Sequence, residues 1–414
     1  MNKKLNDIIS YATEHVQYYA QMVKEKNDEN NILGKIVPST KEDIVDSYDM
    51  MFSDEVKREE LISELTSGST GKSLVVYKSK QERASLTCIL HKRRMQYFKK
   101  IMHAKMTKFA TSYGSFNNRK VQEIITEPID IDGRIYLPNL YVNEENARKY
   151  MKILENYEET WIYSSPSSMY KLAKEVDKIE DFPINKIKYI ELAGEYVIQS
   201  QQEYIQKVFQ CPVVNQYGTR EFWGIAYECP CHHLHVMNES VFVEILDDNN
   251  EPVPYGTEGK VVVTGLRARS MPFLRYVVGD SAKLFPSNCE CGSKEDILEI
   301  NSARIADVIM LENGDTMKSI LFFQILAIAN KGKVRVAQFQ IRQNTILDFS
   351  LLFVLTSDDE KEYVEGIFTS YLKKHISDNV NLTFSYTDNI PIDEKTKKMR
   401  YFYPMKSEES GDLG

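Results

Sequence analysis

Nowhere in the 414 residues is there an apolar run of the ~18 residues a helix needs to cross a bilayer, so no transmembrane helix is predicted. The amino terminus, "MNKKLNDIISYATEHVQYYAQMVKEK", begins with lysines but continues as an amphipathic pattern without the apolar stretch of a secretory signal, and the expected location is the cytoplasm. Positive charge is not in excess. Fifty-two Lys and Arg against 60 Asp and Glu give a formal charge of -8, which argues against nucleic acid or an anionic membrane as the principal partner. No polybasic tail, repeat or low-complexity segment stands out.

What is present reads as a soluble globular chain too long for one ordinary core, so a large domain and a smaller one are expected. Residues 1 to about 60 read as short helices and loops, ending in a charged helical segment, "SDEVKREELI". A Ser/Thr/Gly loop is followed by the β-rich "SLVVYKS" and by a long amphipathic helix, "KQERASLTCILHKRRMQYFKKI". β-type and helical segments then alternate as far as "PVVNQYG", which predicts a layered α/β core with largely parallel strands. From Val241 the texture is β-rich, and beyond about Val308 it reads as a small α+β domain.

The loop "ELTSGSTGKS" poses the first chemical question. A Walker A loop reads G-x-x-x-x-G-K-[ST] and opens a helix. Counted back from Gly71, Lys72 and Ser73, the first glycine would fall on Thr66, and "LVVY" after Lys72 is strand-like. A P-loop NTPase is therefore disfavoured. Thr66, Ser67, Ser69 and Thr70 around Gly68 and Gly71 instead suit a hydroxyl and backbone clamp for a polyphosphate.

Six cysteines remain. Four fall in two C-x-C pairs, Cys229 with Cys231 and Cys289 with Cys291, beside His232, His233 and His235. Two such pairs about 60 residues apart can converge on a tetrahedral zinc whose four protein ligands leave no open position, a structural rather than catalytic site. Free reduced cysteines in a surface loop are the alternative. Cys88 and Cys211 are read as ordinary buried residues.

"TSGSTGKS" resembles the phosphate loop [ST]-[SG]-G-[ST]-T-G-x-P of the adenylate-forming superfamily, the acyl-CoA synthetases and adenylation domains, with Ser73 at the proline position. "ELAGE", ending in Glu195, resembles its adenine-pocket strand and turn. "NQYGTREFWG" is similar to its Y-G-x-T-E segment and "PFLRYVVGD" to its R-Y-[RK]-T-x-D segment. Order and spacing agree, and the pattern is closest to the phenylacetate-CoA ligase branch with its capsule-biosynthesis-type relatives, over roughly residues 60 to 404.

The resemblance implies an α/β fold. A large ATP- and carboxylate-binding domain over residues 1–307, with a layered core and a β-rich, zinc-containing part at about 229–300, precedes a small mobile α+β domain over 308–414. It implies nucleotide binding by residues 66–71 and by Glu195, Tyr217, Gly218, Thr219, Asp280 and Arg304, with Tyr217 against adenine, Asp280 on the ribose hydroxyls and Glu221 on Mg²⁺. It favours Cys229, His235, Cys289 and Cys291 as zinc ligands, with Cys231 or His232 as substitutes for His235. "IPIDEKTKKMRYF" resembles the segment that delivers a catalytic lysine, here Lys397, with Lys395 and Lys398 as competitors. The hinge departs from G-R-x-D-D: "SARIAD" keeps Arg304 and Asp307 but has Ala303 and Ala306.

The implied reaction is ATP-dependent formation of an acyl-adenylate from a carboxylic acid of aryl or arylacetic type, with transfer to a thiol, CoA or a carrier-protein phosphopantetheine. An amine acceptor and a degenerate nucleotide-binding relative are the competing readings. Relatives of this kind are often homodimers, although no apolar stripe marks an interface.

Overall fold

A computed structural model describes residues 3–24, 32–65, 74–110, 112–113, 123–125, 127–131, 133–139, 142–179, 184–304, 308–314, 316–330, 335–391 and 400–405. Contacts divide the chain into one unit of Met1–Ile198 with Gln202–Ile300 and another of Gln199–Gln201 with Asn301–Gly414.

In the large unit, the strands Arg134–Pro138, Lys105–Ala110, Thr160–Ser164, Ile187–Ala193 and Val213–Tyr217 lie side by side and parallel. They read as apolar, β-branched and aromatic runs because helices cover them. After Val213–Tyr217 the pairing turns antiparallel, through Ala226–Glu228 to Leu234–Val236. The sheet continues through Ile297–Arg304, Tyr276–Phe285, Gly259–Gly265 and Val241–Leu246, twelve strands in all. The β-rich part expected from Val241 is thus an extension of this sheet.

The helices start where their caps dictate. Ser79 and Glu82 form a capping box that opens the Lys80–Arg94 helix, and Pro166 sits in the first turn of Pro166–Val176. The sequence expectation carried the first of these helices on to Ile101, but it ends at Arg94. There the chain tightens, with Tyr97 N–H donating to Arg94 O, three residues back. Arg94 itself turns inward to Glu191 on the sheet, and its Nε and Nη2 lie 2.8 and 2.6 Å from the two carboxylate oxygens. The "SDEVKREELI" segment likewise forms only a 3₁₀ turn at Arg58–Glu60. Cys211 is buried as expected, but Cys88 is exposed.

Glu191 is wholly buried and also accepts from the hydroxyls of Tyr189 and Tyr227. Burial alone would raise its pKa, but Arg94 and the two hydroxyls outweigh that and hold it below the ordinary carboxylate value. Arg94 also stacks 4.8 Å over the Trp161 ring.

The small unit has a four-stranded sheet in the order Asn381–Tyr386, Asp348–Leu355, Val336–Gln343, Phe402–Tyr403. The helices Ile320–Ala329 and Lys361–His375 contribute Phe322 and Phe368 to a core with Phe339, Phe349 and Phe353.

Glu191→Gln would leave the Arg94 guanidinium buried without its counter-charge. It should lower the stability of the large unit by about 3–5 kcal/mol in urea unfolding, whereas a loss below about 1 kcal/mol would show the pair to be dispensable.

Candidate functional site

The strand Val213–Tyr217 lies where strand direction changes, parallel to one neighbour and antiparallel to the other. In α/β sheets, crevices open beyond the carboxyl ends of parallel strands at such points. Tyr217 ends this strand, and its hydroxyl donates to Asp280 Oδ2 at 2.8 Å. Asp280 arrives there on a bulge. Between the pairs Lys260–Ser281 and Val262–Val277, the single residue Val261 faces Val278, Gly279 and Asp280. Gly279 has φ +90°, a backbone state that suits glycine, and bulges of this kind re-aim a side chain.

Past Tyr217 the chain folds back on itself. Trp223 N–H donates to Thr219 O at 2.7 Å, and Gln216 Nε2 donates to Trp223 O at 2.6 Å. A Cβ on Gly218 would lie 2.1 Å from Trp223 O, so glycine alone fits. Trp223 itself takes φ +65°. The loop turns Glu221 inward, where Oε1 accepts from the Tyr276 hydroxyl at 3.1 Å and Oε2 has no hydrogen-bond partner among the described residues. Thr219 Oγ1 is likewise buried without one. A buried carboxylate with one oxygen held and one available suits a Mg²⁺ shared with substrate phosphates.

Thr66, Ser67, Gly68, Ser69, Thr70 and Gly71 lie outside the described residues, as do Lys397 and the hinge residues Ala306 and Asp307. The flanks of the Ser/Thr/Gly loop are described. The strands Ile62–Leu65 and Val75–Lys78 pair antiparallel, with Leu65 opposite Val75. Glu64 accepts from Trp223 Nε1 at 2.8 Å, pairs with Arg83 at 2.7 Å and lies 3.7 Å from Lys78 Nζ. Lys78 is fully buried and donates to Arg220 O at 2.7 Å. Burial pushes its pKa down, against the opposing pull of Glu64 and Glu221. The sequence reading missed Glu64, Lys78 and Tyr276. The signal for the first two was two ionisable residues of opposite sign in otherwise β-type segments on either side of the loop.

Glu195 follows Gly194, which has φ +88°. Its Oε2 accepts from Ser167 N–H at 3.0 Å, at the start of the Pro166–Val176 helix, where an anion complements the helix dipole. Arg304 closes the strand Ile297–Arg304.

The ligand atoms of Cys229, His235, Cys289 and Cys291 all lie within 4.8 Å of one another. Cys229 and His235 flank a tight turn in which His232 N–H donates to Cys229 O at 2.8 Å, and Cys289 and Cys291 flank another, closed from Gly292 N–H to Cys289 O at 3.1 Å. His235 Nδ1 lies 2.8 Å from Glu295 O, which fixes it as the N–H and leaves Nε2, 3.4 Å from Cys291 Sγ, as the ligating atom. His232 is not brought in: its Nδ1 lies 2.8 Å from Glu228 Oε1. His233, to which no role was assigned, reaches Cys289 Sγ at 3.2 Å. The Cys291 N–H and His233 pull the Cys289 thiol down to about 5, while burial pushes Cys229 up to about 12. Three sulfurs and one imidazole nitrogen at this spacing are the donor set of a closed tetrahedral zinc site.

No protein-family model matches the chain. Among curated proteins it is 23% identical over 417 residues to Protein CapK of Staphylococcus aureus, covering 96% of this chain and 87% of that one. It is also 23% identical over 418 residues to the phenylacetate-coenzyme A ligase of Thermus thermophilus, covering 93% and 90%. Among solved structures, a 2-hydroxyisobutyryl-CoA ligase in the postadenylation state with 2-HIB-AMP superposes with a TM-score of 0.71 at 16% identity, over 97% of this chain and 88% of that one. The amide bond synthetase McbA from Marinactinospora thermotolerans superposes with 0.53 at 15% identity, over 82% and 67%. The fold is that of the adenylate-forming ligases. Its similarity to full-length curated proteins points to the phenylacetate-CoA ligase-like branch of enzymes with this fold.

Gly218→Ala should force Trp223 out of its turn. Only Trp161 and Trp223 contribute tryptophan fluorescence, so the variant should shift the emission spectrum and lose about 1–3 kcal/mol in thermal unfolding. Unchanged emission would mean that the loop accommodates the methyl group.

Proposed function

We propose that the protein is an AMP-forming acid-thiol ligase. A carboxylate oxygen of the acid attacks the α-phosphorus of ATP and pyrophosphate leaves. A thiolate then attacks the acyl carbon of the adenylate, and AMP leaves as the thioester forms. The observation that carries this reading is the Tyr217–Asp280 hydrogen bond at the direction switch of the sheet, with Glu221 buried one turn of chain away.

In this reading Tyr217 lies along the adenine, Asp280 takes the ribose hydroxyls, and residues 66–71 clamp the β and γ phosphates. Glu221 would hold Mg²⁺, which offsets phosphate charge. Lys397 supplies positive charge at the α-phosphate as charge develops there. The acid is aryl or arylacetic and the acceptor is CoA. Both assignments rest on the phenylacetate-CoA ligase-like pattern.

Pyrophosphate exchange over a panel of carboxylic acids tests the first half-reaction. Exchange is expected with at least one aryl acid, and Lys397→Ala should slow it on the order of 10²- to 10³-fold with ATP binding retained. ATP binding without exchange for any acid would favour a non-catalytic nucleotide-binding protein. Product masses after incubation with CoA, a holo carrier protein and amines identify the acceptor.

We further propose that Cys229, His235, Cys289 and Cys291 hold one structural zinc that ties the turn after Ala226–Glu228 to the turn before Ile297–Arg304. Purified protein should contain about one zinc per chain, and chelation should lower the unfolding temperature of the large unit. Full stability after complete metal removal would exclude the role.

A further inference from the structure

Three basic residues in a row close the Lys80–Arg94 helix, and each pairs with an acid on a different element: Lys92 with Glu239, Arg93 with Glu295 and Arg94 with Glu191. The Lys92 pair is largely exposed, and the Arg94 pair ties the helix to the sheet. The Arg93 and Glu295 side chains are only 13% and 19% exposed, so water screens their attraction little.

Glu295 is the residue whose carbonyl oxygen accepts from His235 Nδ1 at 2.8 Å. Its place is fixed on three sides. Arg93 Nη2 donates to Oε1, the Glu295 N–H donates to Ser293 Oγ at 3.2 Å, and Val236 N–H donates to the next carbonyl, Asp296 O, at 2.9 Å. Ser293 N–H in turn donates to Cys291 Sγ at 3.4 Å.

The other half of the cluster is held from the same helix end. Tyr97, four residues past Arg93, donates its hydroxyl to Glu228 O at 2.7 Å, and Glu228 precedes Cys229. The Glu228 carboxylate accepts from Gln202 Nε2 at 2.8 Å and from the Asn215 N–H at 2.5 Å. Tyr97 is itself fixed, because its N–H donates to Arg94 O and Arg94 is locked to Glu191. Hung from one fixed point, the two halves meet across a short gap: Cys229 Sγ lies 3.6 Å from Cys289 Sγ, and His235 Nε2 lies 3.4 Å from Cys291 Sγ. The bonds made by Arg93 and Tyr97 use no ligand atom, so they do not depend on an ion being bound. A ligand set arranged in advance binds its ion more tightly, because less ordering remains to be done.

We propose that Arg93 and Tyr97 are positioning residues of the metal centre. Arg93 holds the His235 imidazole through Glu295, and Tyr97 holds Cys229 through Glu228, so the four ligands stand close to the spacing a tetrahedral ion requires before the ion arrives. This rests on the structural-zinc reading above and adds to it the two residues that make the site tight.

The test measures the zinc affinity of the full-length protein by competition with a chromophoric chelator, together with the visible absorption of the Co²⁺-substituted protein. Arg93→Met and Tyr97→Phe should each weaken zinc binding about 10- to 100-fold, as loss of an outer partner of a metal ligand does, and should weaken the tetrahedral Co²⁺ bands. Lys92→Met, one residue away on the same helix, should bind zinc as the wild type does. Arg93→Met combined with Glu295→Gln should cost no more than Arg93→Met alone, because Arg93 acts through Glu295. A role in fold stability alone would lower the unfolding temperatures of the metal-free and zinc-loaded forms together, whereas positioning shrinks the gap between them. Tyr97→Phe and Glu295→Gln decide the matter if Arg93→Met does not fold. Wild-type protein that binds no zinc would sink the structural-zinc reading and the proposal with it. Wild-type zinc affinity in Arg93→Met or Tyr97→Phe, or a gap of wild-type size, would overturn the positioning role of that residue and leave the zinc reading standing.

Discussion

The large unit depends on one buried ion pair. Glu191 stands in the middle of the parallel sheet, where an unpaired carboxylate would be untenable, and Arg94 reaches it from the last turn of the helix above. The two side chains meet edge to edge through two hydrogen bonds, and two tyrosine hydroxyls add to the acceptor side. This pins the carboxyl end of the Lys80–Arg94 helix to the sheet. The amino end of that helix is fixed independently by the Ser79–Glu82 box, and Glu82 also accepts from Arg269 N–H and Ser270 N–H. With both ends anchored, the helix that follows the Ser/Thr/Gly loop and its hairpin has little freedom to tilt.

From that fixed helix the site is assembled by backbone states that few residues tolerate. Gly218 admits no Cβ, Trp223 sits at positive φ, and Gly279 opens the bulge that aims Asp280 at Tyr217. Such conformations persist only where surrounding bonds over-determine them. Here Gln216, Glu64 and Tyr276 supply those bonds.

The parallel core was legible because its alternation of β and helical texture is a local property, and the motifs from which a nucleotide site is proposed were visible because they are short and contiguous. The end of the first long helix was not. Amphipathic spacing continues through Met95 and Tyr97, and what stops the helix is a partner 97 residues away, Glu191, which spacing does not report. Cys88 was misread for a related reason: apolar neighbours in sequence are not neighbours on one helix face. The Cys and His residues were visible as a group, but the choice between His232 and His235 turns on strand pairing, which places His235 opposite Ile297 and leaves His232 beside Glu228.

Glu64 and Lys78 show how the same stretch of sequence carries two levels of information. The hydroxyls and glycines between them carry the chemistry proposed for the loop, while the two charges on its flanks show how its strands are held. Lys78 is buried on the side of the hairpin that faces the Arg220 carbonyl, and Glu64 meets the indole of Trp223, so both strands that bear the loop are bonded to the segment that bears Glu221. A charge pair spaced at 3.7 Å would by itself add little. Its worth lies in geometry. It fixes the base of the loop proposed to clamp phosphate against the carboxylate proposed to hold the metal, and a phosphate chain spans only a few ångströms, so in that reading a shift between those two elements would be felt directly by the leaving pyrophosphate.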